Sequence, residues 1–186
     1  MLTLEQITPV FYLQPFALEH GLANRPVVFY LVAILNASSV PGRIAPSFIA
    51  TRLGPVQTMF MSIFLTGTAV FAWTACRSGG PGAGNGSIAF AVLFGFFSGG
   101  IVALPPVVLS SFTHDPTRLG TRLGMSSMLN AFGSLTGPVI AGAILQSRAG
   151  GWLGLQLYSG FLFMATAVGF IILRFVLTGK KLIAKA

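Results

Sequence analysis

The chain has 186 residues, 54% of them hydrophobic and 8% charged, with eleven Lys and Arg against three Asp and Glu for a net charge of +8. A soluble domain has about a quarter of its residues charged, so composition argues against a water-soluble globule. The cations lie mostly singly at the ends of apolar stretches, which excludes a nucleic-acid patch as the reason for the basic balance.

Residues 8–19 (TPVFYLQPFALE) are too short to cross a bilayer, and Pro9 and Pro15 work against a long regular helix. They read as the outer end of a partial helix, and the chain looks cut short at its start. A polar loop over 20–25 (HGLANR) follows, and five apolar stretches come after it, at about 26–46, 55–75, 88–111, 124–146 and 153–176. Each approaches the roughly 20 residues that a helix needs to span the hydrocarbon layer. None shows the ten-residue alternation of a barrel strand. The prediction is an all-α polytopic membrane protein with five full spans plus a partial one, whose partner is the lipid bilayer. The glycine-rich stretch 77–87 (RSGGPGAGNGS) reads as an exposed, mobile hairpin carrying the sequon Asn85-Gly86-Ser87. Residues 112–123 (FTHDPTRLGTRL) form a polar, basic loop, 147–152 a tight turn, and 177–186 a basic tail.

Charge then sets sidedness. Arg43, Arg52, Arg118, Arg122, Arg174, Lys180, Lys181 and Lys185 fall on one face, while Arg25, Arg77 and Arg148 fall on the other. Basic loops are retained in the cytoplasm, so the C-terminus is predicted to be cytoplasmic.

Cys76 is the single cysteine, and Glu5, Glu19 and Asp115 fall in tails or at loops. No internal disulfide or cysteine metal cluster can form, and hydrolytic or metal chemistry lacks its parts. No enzyme activity, metal or cofactor is expected.

Polar residues inside the apolar stretches are the candidate functional groups. Asn36, Ser39 and Arg43 share a helix face at i, i+3 and i+7. An arginine in the membrane costs several kcal/mol unless it snorkels, finds a partner or faces a wet cavity. Arg43 therefore marks either the cytoplasmic end of its helix or a cavity wall that attracts an anion. Gly95 and Gly99, near Ser98, form a small-x-x-x-small face suited to close helix packing or to a flexible gate, and Pro105-Pro106 removes two backbone donors beyond it. Ser126, Asn130, Gly133, Ser134 and Gly137 make a stripe about 100° wide that should turn away from lipid. Asn130 suits an interhelical hydrogen bond as well as a substrate contact.

Tyr12-Leu13-Gln14, Ala17-Leu18-Glu19-His20-Gly21, Leu35-Asn36-Ala37-Ser38-Ser39, Gly42-Arg43, Gly120 through Met125 and Gly137-Pro138 through Gly142 together resemble fungal monocarboxylate-transporter-like members of the major facilitator superfamily. The resemblance covers essentially the whole chain and implies the C-terminal half of a twelve-helix transporter, from the end of helix seven to helix twelve. It further implies alternating access between two halves, a small organic anion or metabolite as substrate, a missing N-terminal half as partner, and residence in the plasma membrane. Tyr12 and Gln14 would lie on helix seven, Asn36, Ser39 and Arg43 on helix eight, and Asn130 on helix eleven. Together with Ser98, Ser126 and Ser134 these are the substrate-path candidates. Arg52, Gly54 and Arg122 are the inner-loop gating candidates. Two departures stand out: Ser39 occupies the place of the aspartate that animal monocarboxylate transporters set one turn before the helix-eight arginine, and Ser47 through Gly54 matches the superfamily's Gly-x-x-x-Asp-Arg-x-Gly loop with serine and threonine in place of its first glycine and its aspartate. The alternative expectation is a non-transporting membrane module, or a truncated fragment, that packs with a partner.

Overall fold

The computed structural model describes residues 2–19, 25–75, 83–113, 116–147 and 151–178. They form six helices: α1 (Leu2–Glu19), α2 (Arg25–Leu53), α3 (Pro55–Ala75), α4 (Ala83–Ser111), α5 (Pro116–Ser147) and α6 (Trp152–Thr178). Segments of five of them, Val28–Leu53, Pro55–Thr74, Gly86–Ser111, Thr117–Gln146 and Trp152–Ile172, are long and apolar enough to cross a membrane. The expected loop at 20–24, the stretch 76–82 with Cys76, and the tail beyond 178 lie outside the described residues.

The helices run past the limits that apolarity alone suggests. Residues expected as a partial element at 8–19 belong to a helix that starts at Leu2 and continues through Pro9 and Pro15. Each proline removes one backbone donor, a loss that a helix packed among others tolerates. The expected loop at 112–123 is helical from Pro116, a residue suited to the first helical position because that N–H has no intrahelical acceptor. Pro55 opens α3 in the same way. The sequon falls in the first turns of α4 rather than in a hairpin, and Ser87 is buried.

Gly54 separates α2 from α3. Its φ of 92° is left-handed backbone that favours glycine. Its N–H reaches the carbonyl of Ala50 at 3.0 Å, and its own carbonyl accepts the Thr58 hydroxyl at 3.0 Å, so both helix ends are closed at one residue.

Two devices hold the bundle. The first is close backbone approach between α2 and α4. A Cβ on Gly99 would stand 2.6 Å from the Ser39 carbonyl oxygen and 2.8 Å from the carbonyl carbon of Gly42, while one on Gly42 would overlap the Phe96 carbonyl and one on Gly95 the Ser38 hydroxyl. The packing role expected of Gly95 and Gly99 is thus carried out against α2. The second is an aromatic series that crosses from α1 to α6. Phe16 sits edge-on to Trp73 at 5.1 Å and to Trp152 at 5.3 Å, Trp73 stacks on Phe90 at 5.1 Å, and Phe90 leads through Phe94 to Phe163. Such pairs contribute about 0.5–1.5 kcal/mol each beyond the area they bury. Hydroxyls within the apolar spans bond carbonyls of their own helix, as Thr66 does to Ser62 at 2.7 Å, which lets them sit in an apolar interior.

Candidate functional site

The α2–α4 contact brings four of the candidate residues together. Val10 and Phe11 of α1, Leu35, Asn36, Ser39 and Arg43 of α2, and Phe94, Ser98, Gly99 and Val102 of α4 line a cleft of about 170 Å³. Asn36, Ser39 and Arg43 reach it from one face because α2 is helical through the whole stretch, Pro41 included. Gly99 gives the cleft its narrow floor, since no side chain separates α4 from the Ser39 backbone there.

The polar groups of this cleft are specifically oriented. Asn36 donates its amide to the Val32 carbonyl at 2.9 Å, and Ser39 donates its hydroxyl to the Asn36 carbonyl at 2.7 Å. Ser98 donates to Gly95 at 3.2 Å. Arg43 is exposed, and among the described residues its guanidinium has neither an ion pair nor a hydrogen bond. The cleft therefore offers one cation, unpaired among the described residues, beside the polar Asn36, Ser39 and Ser98 and the apolar Val10, Phe11, Leu35, Phe94 and Val102.

The other substrate-path candidates lie away from it. Tyr12 points to α5, where its hydroxyl donates to the Pro138 carbonyl at 3.3 Å beside Gly142, and its ring meets Trp152 edge-on at 6.4 Å. Gln14 is half-buried on α1 and does not line the cleft. Ser126, Asn130 and Ser134 are half-buried on α5, on the less exposed side of that helix with Gly133 and the buried Gly137, while Met125, Met128, Leu129, Phe132 and Leu135 face outward. Ser134 bonds its own helix at the Ala131 carbonyl, 2.9 Å away.

The gating candidates have local structural roles. Arg122 reaches back from the first turns of α5 to the Phe112 carbonyl at 3.2 Å and the Thr113 hydroxyl at 3.1 Å. A guanidinium there caps the C-terminal end of α4 and complements its dipole. Arg52 is exposed in the last turn of α2, ahead of the left-handed Gly54.

Sequence reasoning passed over the apolar cleft walls and one buried polar residue. Gln156 is fully buried in α6, and neither of its amide atoms has a partner among the described residues; the Trp73 indole N–H is orphaned in the same way. A glutamine inside LGLQLYSG was the available signal. Glu19, expected at the end of the partial helix beside the loop, is the last residue of α1 and accepts the Trp152 indole N–H at 2.8 Å, tying α1 to the start of α6.

Comparison with known proteins gives one consistent answer. The chain is 37% identical over 158 residues to the aspyridones efflux protein of Emericella nidulans, covering 84% of this chain and 31% of that protein. It is 33% identical over 178 residues to an MFS-type transporter of an Ophiocordyceps species, covering 95% of this chain and 38% of the relative. An MFS transporter of Aspergillus flavus matches all 186 residues at 33% identity, over 40% of its own length. No family model and no solved structure matches the chain. The chain spans about a third to two fifths of the length of these relatives. Over that stretch it is similar to fungal MFS-type transporters.

Proposed function

We propose that this chain is the C-terminal part of a monocarboxylate-porter-like transporter that moves a small organic anion or metabolite by alternating access. A second helical bundle, supplied by the rest of a longer protein or by a partner, would form the facing wall. The observation that carries the reading is the Arg43 guanidinium, unpaired among the described residues, in a cleft with apolar walls of Val10, Phe11, Leu35, Phe94 and Val102. A cation with no acidic partner among the described residues attracts a counter-charge. The relatives support transport as the activity, and two of them are named for efflux of a metabolite, aspyridones in one case and agnestins in the other. The outward apolar residues of α2 and α5, among them Val40, Ile44, Phe48, Phe132 and Leu135, suit lipid or a second bundle. The asymmetry of the loop charges supports a cytoplasmic C-terminus, and the plasma membrane is the proposed site of action.

Substitution of Arg43 tests the reading. Arg43→Lys keeps the charge but loses the planar two-donor fork that holds a carboxylate. Flux in cells expressing the protein should fall at least about tenfold with either lysine or glutamine, at matched surface level. Normal flux with lysine, together with poor insertion of Arg43→Gln, would mark the arginine as a topology signal that snorkels to the interface.

A further inference from the structure

We infer that the cleft selects a monoanion that also carries a hydrogen-bond donor, an O–H or N–H set on an apolar body one to two helical turns from the anionic group. The inference rests on the anion reading above and adds a second recognition element to it. Asn36 and Ser39 carry both donors and acceptors, and a cleft built for the anion alone would turn their donors inward. Ser39 does not: its only hydrogen is donated to the Asn36 carbonyl, while the Asn36 amide nitrogen spends one of its two N–H groups on the Val32 carbonyl. A carbonyl only accepts, so the Val32 contact fixes which end of the amide is nitrogen and leaves Oδ1 and one N–H as its free groups. Oδ1 has no partner among the described residues. The Ser39 oxygen keeps its lone pairs.

Along α2 the cleft thus presents one cation, then the Ser39 acceptor, then the Asn36 amide with a free acceptor and one free N–H. Ser39 precedes Arg43 by four residues and Asn36 by seven. At 1.5 Å per residue the acceptors lie roughly 6 to 10 Å from the cation along the helix axis. A second anionic oxygen beside Ser39 would face lone pairs and be repelled, whereas an O–H or N–H there would be bonded. Val10, Phe11, Leu35, Phe94 and Val102 hold the apolar body between these ends.

The test uses three matched probes, 4-hydroxyphenylacetate, 4-methoxyphenylacetate and the neutral alcohol tyrosol, titrated against the chain in lipid nanodiscs. The first two differ by the donor and the third lacks the anion. The hydroxy acid should bind about five- to tenfold more tightly than its methyl ether, the worth of one well-placed hydrogen bond. Asn36→Leu and Ser39→Ala should each shrink that ratio, and the double variant should bring it to about one. Asn36 is exposed, so its replacement leaves the packed core intact; helical circular dichroism verifies the fold of every variant. Equal binding of the two acids, or an unchanged ratio in the double variant, overturns the donor requirement and leaves the anion reading standing. Tyrosol binding as tightly as the hydroxy acid overturns the anion reading and this inference with it.

Discussion

The α2–α4 contact and the α1–α5 contact are built on opposite terms. α2 and α4 meet backbone to backbone at Gly42, Gly95 and Gly99, where a single added carbon has no room. α1 and α5 meet around one phenol, with the Tyr12 hydroxyl on the Pro138 carbonyl beside Gly142. Burial follows the same division, with 56% of an apolar 18-residue stretch of α4 buried against 11% of the corresponding stretch of α5. Lipid is as apolar as leucine, so contact quality rather than water avoidance decides which helices stay together. The α2–α4 pair therefore serves as the fixed floor of the cleft. α5 is held more thinly and has a broad surface left for another bundle or for lipid.

The strongest way to break this division is to put a side chain at Gly99. Gly99→Leu should abolish assembly of a stable bundle, because the Ser39 and Gly42 backbones offer no flexible tip to move aside. Gly99→Ala should cost about 1–3 kcal/mol, the usual range for overpacking. Thermal unfolding followed by circular dichroism in detergent should show the ordering Leu below Ala below parent. Parity of the alanine variant with the parent would mean that α4 is not pressed on α2 at this point.

Gly54 provides the control that separates space from backbone conformation. Nothing lies within 4 Å of a Cβ built there, yet its φ is left-handed. Gly54→Ala should cost about 1–2 kcal/mol through strain alone, without a clash. Gly54→Asn should recover part of that loss, since asparagine tolerates this conformation better. A clash-driven loss at Gly99 would show no such recovery with asparagine. The same denaturation series on both glycines therefore distinguishes the two causes, and equal behaviour of alanine and asparagine at Gly54 would contradict the strain account.

These glycines also show which parts of the molecule were legible from sequence. Gly95 and Gly99 announce close packing by their four-residue spacing, and the stripe from Ser126 to Gly137 announces the less exposed side of α5, because helical period carries both signals. The cleft polar set of Asn36, Ser39 and Arg43 was visible for the same reason. Its apolar walls were not, since Val10, Phe11, Phe94 and Val102 are ordinary residues of apolar helices until α1, α2 and α4 pack together. α1 was read short because its two prolines signal interruption locally, and the packing that sustains a helix through them is tertiary. Tyr12 was read as a path residue on position alone, and its bond to Pro138 spans 126 residues of sequence.

The smallest expected effect lies at that bond and bears most directly on how α5 is held. Tyr12→Phe removes the hydroxyl and keeps the ring that meets Trp152 edge-on. Pro138 is helical, so its carbonyl retains the ordinary intrahelical acceptor role toward the N–H four residues on, at Gly142. The loss is therefore one partly buried hydrogen bond at 3.3 Å, about 0.5–1 kcal/mol, with no orphaned donor left behind. Global unfolding should shift only slightly. Amide hydrogen exchange should respond more, with faster exchange along α5 and little change in α4, because a thinly held element opens locally before the bundle unfolds. Uniform acceleration across α4 and α5 would show that the two helices open as one unit, and the division between a fixed floor and a lightly held α5 would fail.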